Sequence, residues 1–240
     1  MAVTHLDAKI YRHPDQYAQV SSKVSQWGAV VSIFPQVKVI MAIFHPIPET
    51  VLARMQYLEQ IDSEDRQDGT PWFIRLRQIT PETGRLLALF VAIAPQGEIV
   101  EVGTSAGYST LWLALGAQTR GQKIHTFEVD PKKGHLARET FASAAVESLV
   151  NLHIEDARQG LERLDQIGFC FLDLDKVYYQ ACYDLIVPRL VPGGIIIADN
   201  VTSHASELAA FLDHVYRDLR VDAIVIPIGK GELLCRRSSA

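Results

Sequence analysis

The sequence predicts an α/β protein with a doubly wound, mostly parallel sheet, and three patterns predict it. From Glu98 onward, short apolar runs alternate with helix-like stretches. Several of those runs end in acidic residues, as expected where ligands gather at the C-terminal edge of a parallel sheet. The tail then reads DAIVIPI, the turn GKG and ELLCRR, which suggests a closing antiparallel pair. Taken in order, the strands are GEIVEVG, KIHTFEVD, NLHIED, FCFLDLD and GGIIIADN, followed by the two strands of the tail. Strands buried on both faces read as near-continuous apolar runs, and these do.

The chain divides unevenly. Residues 1–70 lack the strand–helix alternation and read as an N-terminal, mainly helical extension, with 71–240 as the main domain. Within the extension, VLARMQYLEQ has helical spacing, Pro46 and Pro48 punctuate, and DSEDRQDGTP reads as an exposed loop. Its apolar stretch from Ala29 to Ile47 favours a homodimer. The start, MAVTHLDAKIYRHPDQ, has neither a basic n-region nor an apolar h-region, so no signal peptide or membrane span is expected. Cys170, Cys182 and Cys235 show no metal-site or disulfide spacing, which fits a reducing cytoplasm. A composition of 48% hydrophobic and 21% charged residues is that of a globular chain, and a net charge of -5 gives no basic footprint for nucleic acid.

The first strand leads into the small-residue turn from Gly103 to Gly107 and then a helix carrying Ser109 and Thr110. Glycines there let a ligand approach the backbone, and the helix start offers free N–H groups. The spacing is not the dinucleotide G-x-G-x-x-G. Glu101, two residues before Gly103, places negative charge where a pyrophosphate would sit, so a cationic ligand suits the turn better. A carboxylate in an apolar strand must also find hydrogen-bond donors or a charge, because burying it alone costs several kcal/mol. Glu128 ends the next strand, where α/β nucleotide folds hold ribose hydroxyls.

Two later strand ends supply a different chemistry. Asp173, Asp199 and Asn200 bring two carboxylates and an amide oxygen to one cleft, a set suited to a hard divalent cation such as Mg²⁺, with Ca²⁺ or Mn²⁺ as substitutes. Either aspartate alone is more simply a helix cap. Lys176, three residues after Asp173, is close enough to act on a substrate held there. No histidine pair has metal-binding spacing; His204, just after DNV, is the histidine that could line a substrate pocket. Tyr178 and Tyr179 could as easily pack beneath the helix as touch cofactor or substrate, and neither is taken as a site residue.

From about Thr80 to Arg237 these motifs resemble class I S-adenosylmethionine-dependent O-methyltransferases, of the metal-dependent group that includes catechol and caffeoyl-CoA O-methyltransferases. The resemblance implies a Rossmann-like, seven-stranded sheet whose last strand is antiparallel. It implies that Glu101, Gly103 and Ser109 meet the methionine portion of the cofactor and Glu128 its ribose, with Asp156 and Ala157 of IEDARQGL beside the adenine and Gly107 a further cofactor-binding residue. The D-x-D-K pattern implies a metal ligand at Asp173, a cofactor-side carboxylate at Asp175 and a catalytic lysine at Lys176, and the D-N pair falls on Asp199 and Asn200. RQITPETGRLL resembles the cofactor-covering segment, with Thr83 where caffeoyl-CoA enzymes carry an acid. After ADNV the chain reads TSHASELAAF, without the tryptophan-containing insertion of caffeoyl-CoA enzymes. The expected partner is a small hydroxylated substrate. Two other readings share the fold: a methyltransferase for hydroxylated bases of transfer RNA, which net acidity opposes, and a non-catalytic cofactor-binding protein, which has no use for Asp173, Lys176, Asp199 and Asn200 together.

Overall fold

The computed structural model describes residues 47–71 and 74–238. Residues 29–46, which carry most of the expectation of a dimer, lie outside the described residues. The compact unit that holds the sheet begins at Ile47.

Helix α1 (Glu49–Asp65) buries Val51, Met55 and Leu58, an i, i+4, i+7 stripe. It runs on through Ser63, Glu64 and Asp65, where the sequence pattern suggests a loop. Local contacts explain the extra turn. Arg66 bonds Asp62 at 2.7 Å and Gln60 donates to Glu64 at 2.8 Å, both at helical i, i+4 spacing. Asp62 and Asp65 also accept from the backbone N–H groups of Gln78 and Leu76, each at 3.3 Å, which ties this helix end to the following segment.

Helix α2 (Pro81–Ile93) starts with Pro81 behind Thr80, whose side chain accepts from Thr83 N–H. Then follow β1 (Glu98–Val102), α3 (Tyr108–Gln118), β2 (Ile124–Glu128), α4 (Pro131–Ala144), β3 (Val150–Ile154), α5 (Ala157–Leu161) and β4 (Ile167–Leu172). The remainder is α6 (Tyr179–Ile186), β5 (Leu190–Ala198), α7 (Ala205–Arg217), β6 (Val221–Ile226) and β7 (Glu232–Arg237). Asp130 and Asp156 cap α4 and α5 by accepting from Lys132 N–H and Arg158 N–H. Among the described residues, no helix is long and apolar enough to cross a membrane.

The sheet order is β3-β2-β1-β4-β5-β7-β6. Strands β1 to β5 pair in parallel, and β7 runs antiparallel between β5 and β6. The expected seven-stranded sheet with its antiparallel last strand is therefore present. Helices α1 to α4 pack with one another and α5 to α7 form a second set, so the sheet is covered on both faces. Val100, Val102, Cys170, Leu172, Ile196 and Ala198 turn toward the second set and share a core with Tyr179, Tyr183 and Phe211. All three cysteines are free and buried.

The chain reverses its direction of winding between β1 and β4, the switch point at which open α/β sheets leave a crevice. Gly103 forms its floor with φ at 105°, and a Cβ there would lie 1.9 Å from the carbonyl oxygen of Asp173. Gly103→Ala is therefore expected to cost at least about 2 kcal/mol, from left-handed backbone and steric overlap together. Denaturant titration checks this; unchanged stability would mean the two strand ends are not in such close contact.

Candidate active site

A cleft of about 950 Å³ runs along the C-terminal edge of the sheet. One end is bounded by Asp156, Ala157, Arg158 and Tyr178, the middle by Glu128 and the glycine turn, and the other end by Asn200, His204 and Lys230. Asp173, Asp175 and Lys176 line it as well.

The glycine turn is held from below by Glu101. This fully buried carboxylate accepts from Ser109 Oγ at 2.6 Å, Thr110 Oγ1 at 2.5 Å and Thr126 Oγ1 at 2.6 Å. The donors that its burial demands are thus hydroxyls, two of them on the first turn of α3. Glu101 does not line the cleft, and Ser109 reaches it from a largely buried position with its hydroxyl turned inward. Gly107 caps α3 with φ at 87° and faces Phe141 of α4, where a Cβ would lie 2.7 Å from the ring.

Glu128 is fixed by two backbone donors, Ser105 N–H at 2.8 Å and Asp130 N–H at 2.9 Å, and it lines the cleft. Its carboxylate is oriented before any ligand arrives. Asp156 is both helix cap and ion-pair partner of Arg158, whose guanidinium lies 4.7 Å over the Tyr178 ring. Asp175 is exposed at the cleft wall.

Asp173 and Asp199 stand side by side because their strands do: Leu172 is in register with Ala198, and Asp199 N–H donates to Leu172 O at 3.0 Å. Lys176 Nζ has three oxygen neighbours, Tyr179 OH at 2.8 Å, Leu174 O at 3.0 Å and Asp173 Oδ1 at 3.3 Å. Tyr179, which the sequence leaves between packing and ligand contact, lies buried under the lysine, and its hydroxyl also donates to Asp199 O at 3.0 Å. Its spacing of three from Lys176 was the available signal. Asn200 adopts φ at 69°, a left-handed conformation that asparagine tolerates better than most residues. Its backbone N–H and its Nδ2 both donate to Asp199, at 2.6 and 3.0 Å, which reserves the amide oxygen, the cation-ligating end of the side chain.

Sequence reasoning also passed over Glu232 and Lys230, and met Thr83 only as part of the cofactor-covering segment. Glu232 is fully buried, accepts from Thr83 Oγ1 at 3.0 Å, and meets Asp199. Burial first, then Asp173 beside it, raises the Asp199 carboxyl; burial and then Asp199 raise Glu232 further. The signal was a lone acid beginning an apolar strand, the same signal that drew notice to Glu101. Among the described residues no group of three or more His, Cys, Asp or Glu side chains is arranged to hold a metal ion, although Asp173, Asp199 and Asn200 are oxygen donors of the kind a hard cation takes. Asp173, Asp199 and Glu232 are acids crowded together, and Lys176 and Lys230 are the positive side chains beside them.

The sheet order, the glycine turn and the acidic strand ends together define a Rossmann-like methyltransferase. The sequence profile of the O-methyltransferase family matches residues 54–238, and the chain belongs to that family of S-adenosylmethionine-dependent enzymes. It is 33% identical over 128 residues to a catechol O-methyltransferase of Niastella koreensis, covering 51% of this chain and 58% of that protein. It is 28% identical over 182 residues to a caffeoyl-CoA O-methyltransferase of Stellaria longipes, covering 66% of this chain and 75% of that one. Among solved structures, the O-methyltransferase of Bacillus cereus in complex with SAH superposes with a TM-score of 0.68 at 23% identity, over 85% of this chain and 96% of that one.

Burial, against three donated hydrogen bonds, pushes the Glu101 carboxyl up to about 7. A carboxyl whose folded pKa lies above its unfolded value of 4.5 stabilises the fold fully below pH 4.5 and loses that contribution as pH rises toward 7. The ligand-free protein is expected to lose about 3 kcal/mol from this group across that window, and Glu101→Gln to remove the loss. Stability curves of the two proteins at pH 5 and pH 8 check this; parallel pH dependence would show that Glu101 stays ionised.

Proposed function

We propose that this chain is a divalent-cation-dependent O-methyltransferase acting on a hydroxyl of a small catechol-like or other vicinal-diol aromatic substrate. The observation that carries the reading is the pairing of Asp173 and Asp199 on adjacent strand ends, with Lys176 and Asn200 beside them, in the same cleft as the glycine turn. S-adenosylmethionine is the methyl donor of the family, and the named relatives include catechol and caffeoyl-CoA enzymes.

The residues divide the work along the cleft. Glu128, preset by two amides, would accept from the ribose hydroxyls, and the wall from Asp156 to Arg158 with Tyr178 would hold the adenine. The floor at Gly103 lets the methionine portion lie against backbone, with Glu101 beneath as the negative charge that favours a sulfonium. Asp173, Asp199 and the amide oxygen of Asn200 would hold the cation. When bound, the cation would orient two neighbouring substrate oxygens and lower the pKa of the reacting hydroxyl. Lys176 would take the hydroxyl proton, and its three oxygen neighbours stabilise the ammonium that results. No residue need form a covalent bond to the substrate.

Activity is expected to vanish in excess chelator and to return with Mg²⁺. A catechol should react at least about 10²-fold faster than its monohydroxy analogue, because one hydroxyl loses both orientation and pKa lowering. Equal rates on the pair, or full turnover in chelator, would leave a metal-independent methyltransferase as the better account. Lys176→Ala should lower turnover by about 10²-fold or more while cofactor affinity holds, which single-turnover kinetics and calorimetry separate. Glu128→Ala should weaken cofactor binding by about 1.5 to 3 kcal/mol in the same calorimeter, the cost of losing a charged acceptor.

A further inference from the structure

A lysine at the tip of a hairpin is ordinarily a solvated surface charge. Lys230 departs from that pattern. It stands at the turn between β6 and β7, is half-buried, and lines the cleft at the end that also holds Asn200 and His204. Its ammonium is near enough to Asp199 to be felt there, yet among the described residues its one hydrogen-bond partner is Gln78 O, at 3.5 Å. An ammonium has three donors, so most of its bonding capacity is open to a ligand.

The backbone fixes where this lysine can reach. Gly229 and Gly231 both take left-handed φ, 58° and 88°, and a Cβ on the first would lie 2.2 Å from Thr83 Oγ1 and on the second 2.0 Å from Thr202 Oγ1. The turn is thus wedged between the start of α2 and the loop after β5. Lys230 O accepts from Thr202 N–H at 3.2 Å and Ser203 N–H at 3.0 Å, and Gly231 O accepts from Val201 N–H at 3.0 Å. His204, the next residue of that loop, is therefore fastened to the same turn. Its Nδ1 lies 2.9 Å from Ser203 Oγ, which leaves Nε2 as the ring nitrogen for a ligand. Two nitrogen-bearing side chains, from different segments tied together by backbone hydrogen bonds, thus close one end of the cleft beside Asn200. Glu207, the acid in the first turn of α7, is exposed at the rim.

We propose that Lys230, assisted by His204, binds a carboxylate on the methyl acceptor, so that the preferred substrate is a hydroxylated aromatic acid and not its neutral ester. The inference rests on the vicinal-diol reading above and narrows its substrate class. In such an acid the hydroxyls and the carboxylate occupy different edges of one ring, so a hydroxyl can be presented to Lys176 while the carboxylate meets Lys230. Without that ammonium, the acids at Asp173 and Asp199 would repel an anionic acceptor. One lysine should therefore decide between an acid and its ester, because a site that binds a polar substrate group through a dedicated donor discriminates against an analogue lacking that group far more strongly than an apolar pocket can. The cofactor's methionine portion carries a carboxylate as well, and the test separates the two sources.

The test is methyl transfer by the full chain from S-adenosylmethionine, with Mg²⁺ present, to a vicinal dihydroxybenzoate, to its methyl ester and to catechol, for the wild type, Lys230→Met, Lys230→Arg and His204→Leu. Calorimetry follows cofactor affinity alongside. The readout is the acid-to-ester ratio of kcat/KM, because damage to the fold or to the reacting centre lowers both substrates alike and leaves the ratio fixed. The wild type should favour the acid by about tenfold or more. Lys230→Met should lower the ratio by about tenfold or more, Lys230→Arg should keep it within about threefold of the wild type, and His204→Leu should lower it by less than Lys230→Met does. Lys230→Gln serves if the methionine variant does not fold. The same ratio in the wild type and Lys230→Met overturns the proposal, and so does turnover of catechol or ester without turnover of the acid; either leaves the vicinal-diol reading standing. An equal fall on acid and ester in Lys230→Met, with weaker cofactor binding, also overturns it and assigns the ammonium to the cofactor's carboxylate. An unchanged ratio in His204→Leu overturns the part given to His204. No turnover of catechol, acid or ester by the wild type overturns the vicinal-diol reading, and this proposal with it.

Discussion

The catalytic edge depends on backbone hydrogen bonds that carry the parallel ladders one residue past the strands. Gly103 N–H donates to Phe127 O at 3.0 Å, Asp173 N–H to Val102 O at 2.9 Å, and Asp199 N–H to Leu172 O at 3.0 Å. Each first residue beyond β1, β4 and β5 is therefore placed by its neighbour's carbonyl and not by its own side chain. That leaves the side chains of Asp173 and Asp199 free to be chosen for chemistry. The close approach of Gly103 to the Asp173 carbonyl follows from the same ladder, so the glycine floor of the cleft and the acidic strand end beside it share one piece of backbone geometry.

Charge at this edge is arranged in two ways. Glu101 is buried and receives three hydroxyl hydrogen bonds, which offset part of its desolvation and leave its carboxyl titrating near neutrality. Beside it, burial and the crowding of Asp173, Asp199 and Glu232 push the Asp199 and Glu232 carboxyls up, and Asp199 accepts from the neighbouring Asn200. Lys176 beside Asp173 and Lys230 beside Asp199 offset part of this crowding.

Much of this was legible in the sequence. The strands could be read from their apolar runs and the antiparallel close from the GKG turn, most plainly β1 and β4, whose burial leaves a near-continuous hydrophobic signature, and less so the half-buried edge strand β3. Glu101 was legible as a buried carboxylate in need of donors, though not that Thr126 on the next strand supplies one of them. The last turn of α1 was hidden because Ser63, Glu64 and Asp65 lack an apolar face; contacts from Asp62 and Asp65 to a segment more than ten residues away hold that helix end. Tyr179 and Glu232 were hidden for a related reason. Glu232 meets Thr83 only after the sheet forms, and Tyr179, though three residues from Lys176, reaches Asp199 O only then.

The antiparallel strand shows why that pairing matters. A parallel strand beside β5 would end at the same edge with its own loop, adding another flexible ligand-bearing segment. Strand β7 instead starts at that edge, so its first residue meets the end of β5 as part of a paired ladder. The side chain at this position is held by sheet hydrogen bonds and by Thr83 from α2, which joins the helix before the glycine turn to the strand after the D-N pair. Segment 76–78 is tied to the same assembly: Leu76 O accepts from Ser105 Oγ at 3.2 Å, and Gln78 O accepts from Lys230 Nζ at 3.5 Å. A shift at the hairpin would therefore be felt both at Asp199 and at the segment bordering the glycine turn. On this connection, a cation held at Asp199 and a cofactor held over Gly103 would favour each other's binding without touching, each steadying the backbone that the other needs.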